Sequence, residues 1–574
     1  MAISFRYVPS NLRVPGTYFE VDPSKANTSP QNTLGLLVGQ MTAEGSCCTS
    51  AATSAASAAD SDTLTFGAVL SSVVPGQVAI DRTTPAALPP GVTVLSVATV
   101  AAPPSTTVTL SGPVANPVAS GDAVEFYDLR PQWLTSQTNA KALFGSGSQL
   151  ARMDAVRRLN DPFGEWWVLP LADDPEAVAA AGAITFSGTI SQAGTVALYV
   201  AGVPCPAIVS AAMTAAQVAS AVAAVVTANR NLPVTAAAAA DAVTFTAKNK
   251  GLCGNDIDIR VNYYGPSAGE FTPPGLAYQI THMTGGATNP SVGLSAGLAS
   301  LPPSRWGAVA SAYGTDPPCL DALQTFMNDI SGEWAWSAMR YGAVFAAQSN
   351  TLAMLQTNGA LRNDQHMSIM GVYNMPSPPE ELAAALGGAV QEAIRADPGT
   401  SLNGINLLGI LPPALIDRFH PSDQNTLLWS GISTYVVDQG GTMHVQKLIT
   451  TYQVNEFGDP DDSYLYVETL YRIAYALSDM KTDLDTTFAG ARLADDGTRY
   501  GVGINVATPS IVKAHISARY DLLITMGIVQ DAVAFRAGLD VERDAVNRNR
   551  LNVLWPGIMV DDLDIIAGVA QFTT

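Results

Sequence analysis

Between Ala177 and Asn229 the chain carries no charged residue, and between Arg82 and Asp122 it again carries none. A charge-free run of that length is either a membrane span or a series of short packed segments, and its punctuation decides which. Gly182, Gly188, Gly194, Gly202, Pro204 and Pro206 cut the first run into pieces dominated by alanine, serine and threonine, so no membrane insertion is expected. What remains is β structure around one helix. Strand patterns occur at 183–186, 195–200, 242–246 and 256–262. Thr214 followed by Gln217 is a capping-box signature, and Val218, Val222 and Val225 supply the apolar stripe of the helix it opens. Residues 181–285 are expected to form an α+β module.

The second run belongs to a different unit. Alternating, β-branched segments at 63–66, 91–98, 106–110 and 122–127, separated by proline and glycine, predict a small all-β module over 45–131. Its lack of charge is unusual for a sheet wetted on both sides, so part of its surface is expected to pack on neighbours. Residues 47–59, rich in alanine, serine and threonine, read as a low-complexity linker into it.

Around these modules the pattern is α/β. Leu34-Gly-Leu-Leu-Val-Gly-Gln40 and Trp166-Trp-Val-Leu-Pro170 read as buried strands, and Leu150, Met153, Val156 and Leu159 as one face of a helix over 148–159. A later helix is read with Ser377 as N-cap, Pro378 and Pro379 in its first turn, and Leu382, Leu386, Val390 and Ile394 on its buried side. Further helices are expected at 464–480 and 510–530. At the end Leu563, Ile565, Ala567 and Val569 alternate to one face as in a strand. With 574 residues, three or four cores are needed. The expected division is 1–44 (extended arm and first core strand), 45–131, 132–180 (start of the α/β core), 181–285, 286–440 (α/β domain) and 441–574 (C-terminal domain).

The chemistry is sparse. A formal charge of −20 repels phosphate backbones, so direct nucleic-acid binding is not expected. The five cysteines include no CxxC pair and do not form a secreted disulfide framework. The beginning shows no signal or transit pattern, which makes a reducing cytoplasm the expected place of synthesis. Gly293-Leu-Ser-Ala-Gly297 matches a nucleophile elbow around Ser295, but a loop rather than a buried strand precedes it. No two histidines have metal-ligand spacing, Gly458–Ser463 lacks the pattern of a calcium loop, and Gly145-Ser-Gly-Ser148 lacks the lysine of a P-loop. No catalytic, cofactor or metal site is expected. Strand-like segments at both ends of a large acidic chain suit a protein that assembles, because a terminal strand can add to another subunit's sheet edge.

Several separated motifs resemble the Mu-like contractile tail sheath proteins of bacteriophages. They are Ile3-Ser-Phe with Pro9-Ser-Asn-Leu-Arg-Val-Pro-Gly-Thr-Tyr18, Leu37-Val-Gly-Gln40, Ala142-Leu-Phe-Gly-Ser-Gly-Ser148, Gly254-Asn-Asp-Ile-Asp-Ile-Arg-Val261, Gly285-Gly-Ala-Thr-Asn-Pro290, Leu407-Leu-Gly-Ile-Leu-Pro-Pro413, Ile449-Thr-Thr-Tyr-Gln453 and Val541-Glu-Arg-Asp544. The similarity spans nearly the whole chain except 45 to about 131, and Trp555-Pro-Gly-Ile-Met-Val-Asp-Asp-Leu-Asp564 departs from the usual approach to the last strand. The resemblance implies an α/β and α+β multidomain fold, with a sheath-like core built from N- and C-terminal parts and carrying inserted β-rich modules. It implies a virion protein, assembled in the host cytoplasm into stacked hexameric rings around a tail tube, whose contraction drives the tube through the host envelope. Its partners would be itself, the tube protein, the baseplate and the tail terminator. The joints would be strands paired between subunits, through Val14, Thr17, Tyr18, Phe19 and Val21 at one end and Leu563, Ile565, Ala567, Val569 and Phe572 at the other. Cys47 and Cys48 would offer a cross-link between subunits once the particle meets an oxidising exterior; the plain alternative is two small side chains. Rival expectations are a non-contractile tube or decoration protein, the sheath of a phage-tail-like injection particle and, further off, an esterase using Ser295.

Overall fold

A strand that is apolar on both faces can lie only where both faces are covered. In the computed structural model, which describes residues 33–498, 500–501 and 504–572, Leu34–Gln40 is an inner strand of a six-stranded sheet. The order across the sheet is Met367–Val372, Ala343–Ser349, Trp306–Ser311, Leu34–Gln40, Trp166–Leu171 and Gln132–Trp133. The first five strands are parallel and the last, short one antiparallel.

Register determines what each face meets. Leu37 pairs with Ala310, and on that face the helices Gln149–Asn160 and Pro379–Ala396 pack on the sheet and on each other. Contact is close: a Cβ on Gly387 would lie 3.0 Å from that of Ala310. Val38 pairs with Leu169 on the opposite face, where Gly297 of helix Ser291–Ala299 lies against Leu169 and helix Pro317–Met327 packs alongside. Buried side chains of these layers form the largest core.

Two further units leave this sheet between its strands, and another follows its last strand. Two three-stranded sheets within 48–127 share a core that includes Phe66 and Phe126, whose rings meet edge to face at 5.5 Å. A four-stranded and a three-stranded sheet within 181–284 enclose helix Ala215–Ala228, and the Thr214–Gln217 capping box is present. A fourth core joins helices Val467–Thr487, Pro509–Thr525 and Ala532–Gly538 to the hairpin Asp540–Arg543/Leu551–Leu554.

Several expectations need correction. The supposed linker contains a strand, Cys48–Ala52, paired antiparallel with Ala123–Tyr127. Small polar side chains cannot fill a core, but the backbone ladder does not need them to. Ser377 does not cap the helix, which begins at Pro379 after Pro378; its Oγ instead accepts the Leu411 N–H at 2.8 Å. Leu382, Leu386, Val390 and Ile394 are buried, but Leu159 is 56% exposed at the end of its helix. The 256–262 strand shortens to Ile259–Val261 because a 3-10 turn occupies Leu252–Asp256.

Candidate assembly site

Tyr520, Phe535 and Trp555 start the construction of the C-terminal face. The Tyr520 and Phe535 rings stack at 3.6 Å, and Trp555 stands edge-on to both. The Tyr520 hydroxyl donates to the Gln530 carbonyl and accepts from the Ile558 amide. Beside it, Gln530 N–H donates to Ile558 O and Val560 N–H to Ile528 O, so 558–560 runs antiparallel to 528–530.

Three side chains then fasten the next residues. Arg472, buried on helix Val467–Thr487, donates to the carbonyls of Val560 and Gly399 and pairs with Asp562 at 2.5 Å. Lys447 Nζ lies 3.0 Å from the Asp564 carboxylate and 3.4 Å from Glu468, whose carboxyl is pushed upward chiefly by burial. Asn403 Nδ2 donates to Asp564 at 2.7 Å. Residues 558–564 thus make a specific set of contacts within the chain.

Past Asp564 the hydrogen bonds and ion pairs among the described residues stop. Leu563, Ile565, Ile566, Ala567, Val569 and Phe572 are exposed, Phe572 to 87%, and none lies in a strand. Among the described residues no hydrogen bond holds 565–572. The alternating pattern read from the sequence therefore joins no sheet among the described residues. Among the described residues the hairpin Asp540–Arg543/Leu551–Leu554 forms a sheet of two strands, with no third strand paired to either outer edge. Val14, Thr17, Tyr18, Phe19 and Val21 lie outside the described residues.

The remaining candidates have structural settings. Ser295 sits inside helix Ser291–Ala299, and its Oγ donates to the Ser291 carbonyl, so no strand-turn-helix elbow is formed. Cys47 is buried and Cys48 half-buried; burial is the main cause pushing their thiols up to about 11 and about 12. Neither is on a flexible linker, and weakly ionised thiols cross-link slowly. Among the described residues no cluster of His, Cys, Asp and Glu has metal-binding geometry, and no helix is long and apolar enough to cross a membrane.

Residues 285–451 match the family model of the phage tail sheath protein central domain. Over 574 residues, covering all of both chains, the sequence is 32% identical to a Mu-like prophage tail sheath protein of Haemophilus influenzae. A sheath tail protein from Listeria innocua is similar in structure over 76% of this chain and 89% of its own, with 11% identity and a TM-score of 0.41. Another from Desulfitobacterium hafniense is similar over 95% and 100%, with 10% identity and a TM-score of 0.39.

Proposed function

The chain belongs to the Mu-like phage tail sheath proteins, and from that premise we propose that it polymerises as stacked hexameric rings around a tail tube and contracts to drive the tube through a host envelope. The observation that carries this reading is the C-terminal segment: it is fastened as far as Asp564 and then presents apolar side chains to which the described residues of its own chain offer no partner. In a polymer those residues, with the N-terminal Val14, Thr17, Tyr18, Phe19 and Val21, pair as strands with a neighbour's C-terminal domain. Such joints let subunits rotate as rigid bodies without losing their neighbours, which a travelling contraction requires.

The tube protein, the baseplate and the tail terminator are the other partners under this reading, and the role is mechanical rather than catalytic. The units at 45–131 and 181–285 face away from the tube, where extra mass does not obstruct the joints. Negative-stain microscopy of the expressed chain tests the proposal. Wide, hollow, helically striated tubes are expected; narrow smooth tubes or monomers would favour a tube or decoration protein instead.

A further inference from the structure

Two loops of opposite charge stand out on this acidic chain. One is the turn of the 540–554 hairpin, where residues 543–550 carry Arg543, Arg548 and Arg550 against one carboxylate, Asp544, with Glu542 exposed on the strand just before it. Arg543 is engaged by Asp495 at 2.7 Å, whereas Arg550 reaches Asp544 only at 4.0 Å and is 65% exposed. Arg548 is exposed and, among the described residues, its guanidinium meets no carboxylate. The loop is nevertheless well formed. Asp544 accepts the amides of Val546 and Asn547, Arg543 Nε donates to the Arg548 carbonyl, and Asn552 donates to Asp544.

The other loop spans 455–462. It carries Glu456, Asp459, Asp461 and Asp462, and no lysine or arginine occurs between Lys447 and Arg472. Glu456, Asp459 and Asp462 are exposed and make no ion pair among the described residues. This loop too is built: Asn455 Oδ1 accepts the amides of Phe457 and Asp459, and Tyr452 and Ser463 donate to Asp461. Hydrogen bonds from Asn363 to Val454, and from Gln453 to Gly359, fix it to the central domain rather than to the C-terminal core that bears the arginines.

We propose that the Arg548/Arg550 turn of one subunit docks on the Glu456/Asp459/Asp462 loop of a second copy of this chain, a head-to-tail contact within the sheath. No hydrogen bond or ion pair among the described residues joins the two loops within one chain. The arginine turn and the carboxylate loop are different patches, so a contact that joins one to the other without the reciprocal contact between the same two subunits is heterologous, the type that generates rings and helices. Preformed loops need little ordering on contact, and opposite charge guides the encounter and selects the register. The inference rests on the proposed sheath assembly and adds the contact that pairs its subunits.

The test uses the full chain, with assembly read by pelleting and negative-stain microscopy and folding by thermal unfolding of the soluble fraction. Arg548→Glu with Arg550→Glu is expected to reduce pelleted sheath by about tenfold or more at low salt while leaving the melting temperature unchanged. Adding Glu456→Arg and Asp459→Arg to the same chain is expected to restore sheath. Wild-type assembly by the arginine variant overturns the proposal. Loss of assembly without rescue by the four-residue exchange also overturns it, because the turn then meets a surface other than the carboxylate loop. If the wild-type chain forms no tubes at all, the sheath reading itself has failed, a result distinct from both.

Discussion

Asp161 is fully buried and accepts four hydrogen bonds: from the Gly164 amide, Trp166 Nε1 and both terminal nitrogens of Arg395. It thereby fixes the turn after one helix, the Trp166 strand and the end of another helix at a single point. Asp161→Ala strands these donors and is expected to destabilise the chain by about 2–4 kcal/mol, seen as a lower melting temperature. Gly35 is equally constrained, since a Cβ there would lie 2.2 Å from Trp166 Cδ2. Gly35→Ala must displace an indole already tied to Asp161, at an expected cost of about 1–3 kcal/mol in denaturant unfolding. Acid has the opposite effect at Glu381, whose carboxyl is pushed up to about 7 by burial, with Glu380 adding and Arg152 opposing. The folded chain therefore takes up a proton that the unfolded chain releases near pH 4.5, so this contribution grows as pH falls through 7 and is lost as pH rises through it. The melting temperature is expected to be higher at pH 6 than at pH 8, and Glu381→Gln to narrow the difference. Asp256, raised to about 7, and Asp173, raised to about 6, act in the same direction and leave a residual slope. None of these three environments was legible in the sequence, because each depends on segments far apart in the chain.

Elements were legible where periodicity and burial agree. The Leu34–Gln40 and Trp166–Leu171 strands and the Thr214-capped helix follow directly from their residues. Strand Val203–Val209 was hidden because Pro204 and Pro206 read as breakers. It is an edge strand, and both prolines share one parity in the ladder, opposite Tyr199 and Ala197, so they withhold no amide that the pairing needs. Strand Cys48–Ala52 was hidden for a different reason: its stability comes from backbone pairing with Ala123–Tyr127, which composition does not reveal. The terminal pattern at 563–572 is the reverse case, a strand signal without a partner in the described chain. Helix Ala215–Ala228 supplies a test at this scale. Thr214→Ala removes the cap and is expected to lower protection from hydrogen exchange by about 1 kcal/mol across that helix. Because the helix belongs to a core of its own, protection in the six-stranded sheet should not change.

At the scale of the molecule, the central sheet draws strands from positions 34 to 372, with two further cores inserted between them. Alternating patterns revealed the pieces, but the strand order, in which Leu34–Gln40 lies between Trp306–Ser311 and Trp166–Leu171, is set by long-range pairing that a single sequence does not display. Removing residues 1–20 leaves every described contact in place and is expected to give a folded, soluble chain that forms no sheath; normal tubes from it would refute the arm's role. The inner position of Leu34–Gln40 also has a mechanical consequence. That strand follows directly on the segment proposed to reach a neighbour, and it is hydrogen-bonded along both sides. Tension entering at residue 33 must shear two parallel ladders together. Tension entering behind Asp564 meets a few side-chain contacts from Arg472, Lys447 and Asn403. In single-molecule pulling the C-terminal end should yield at the lower force, making it the compliant end of a subunit whose N-terminal end is stiff.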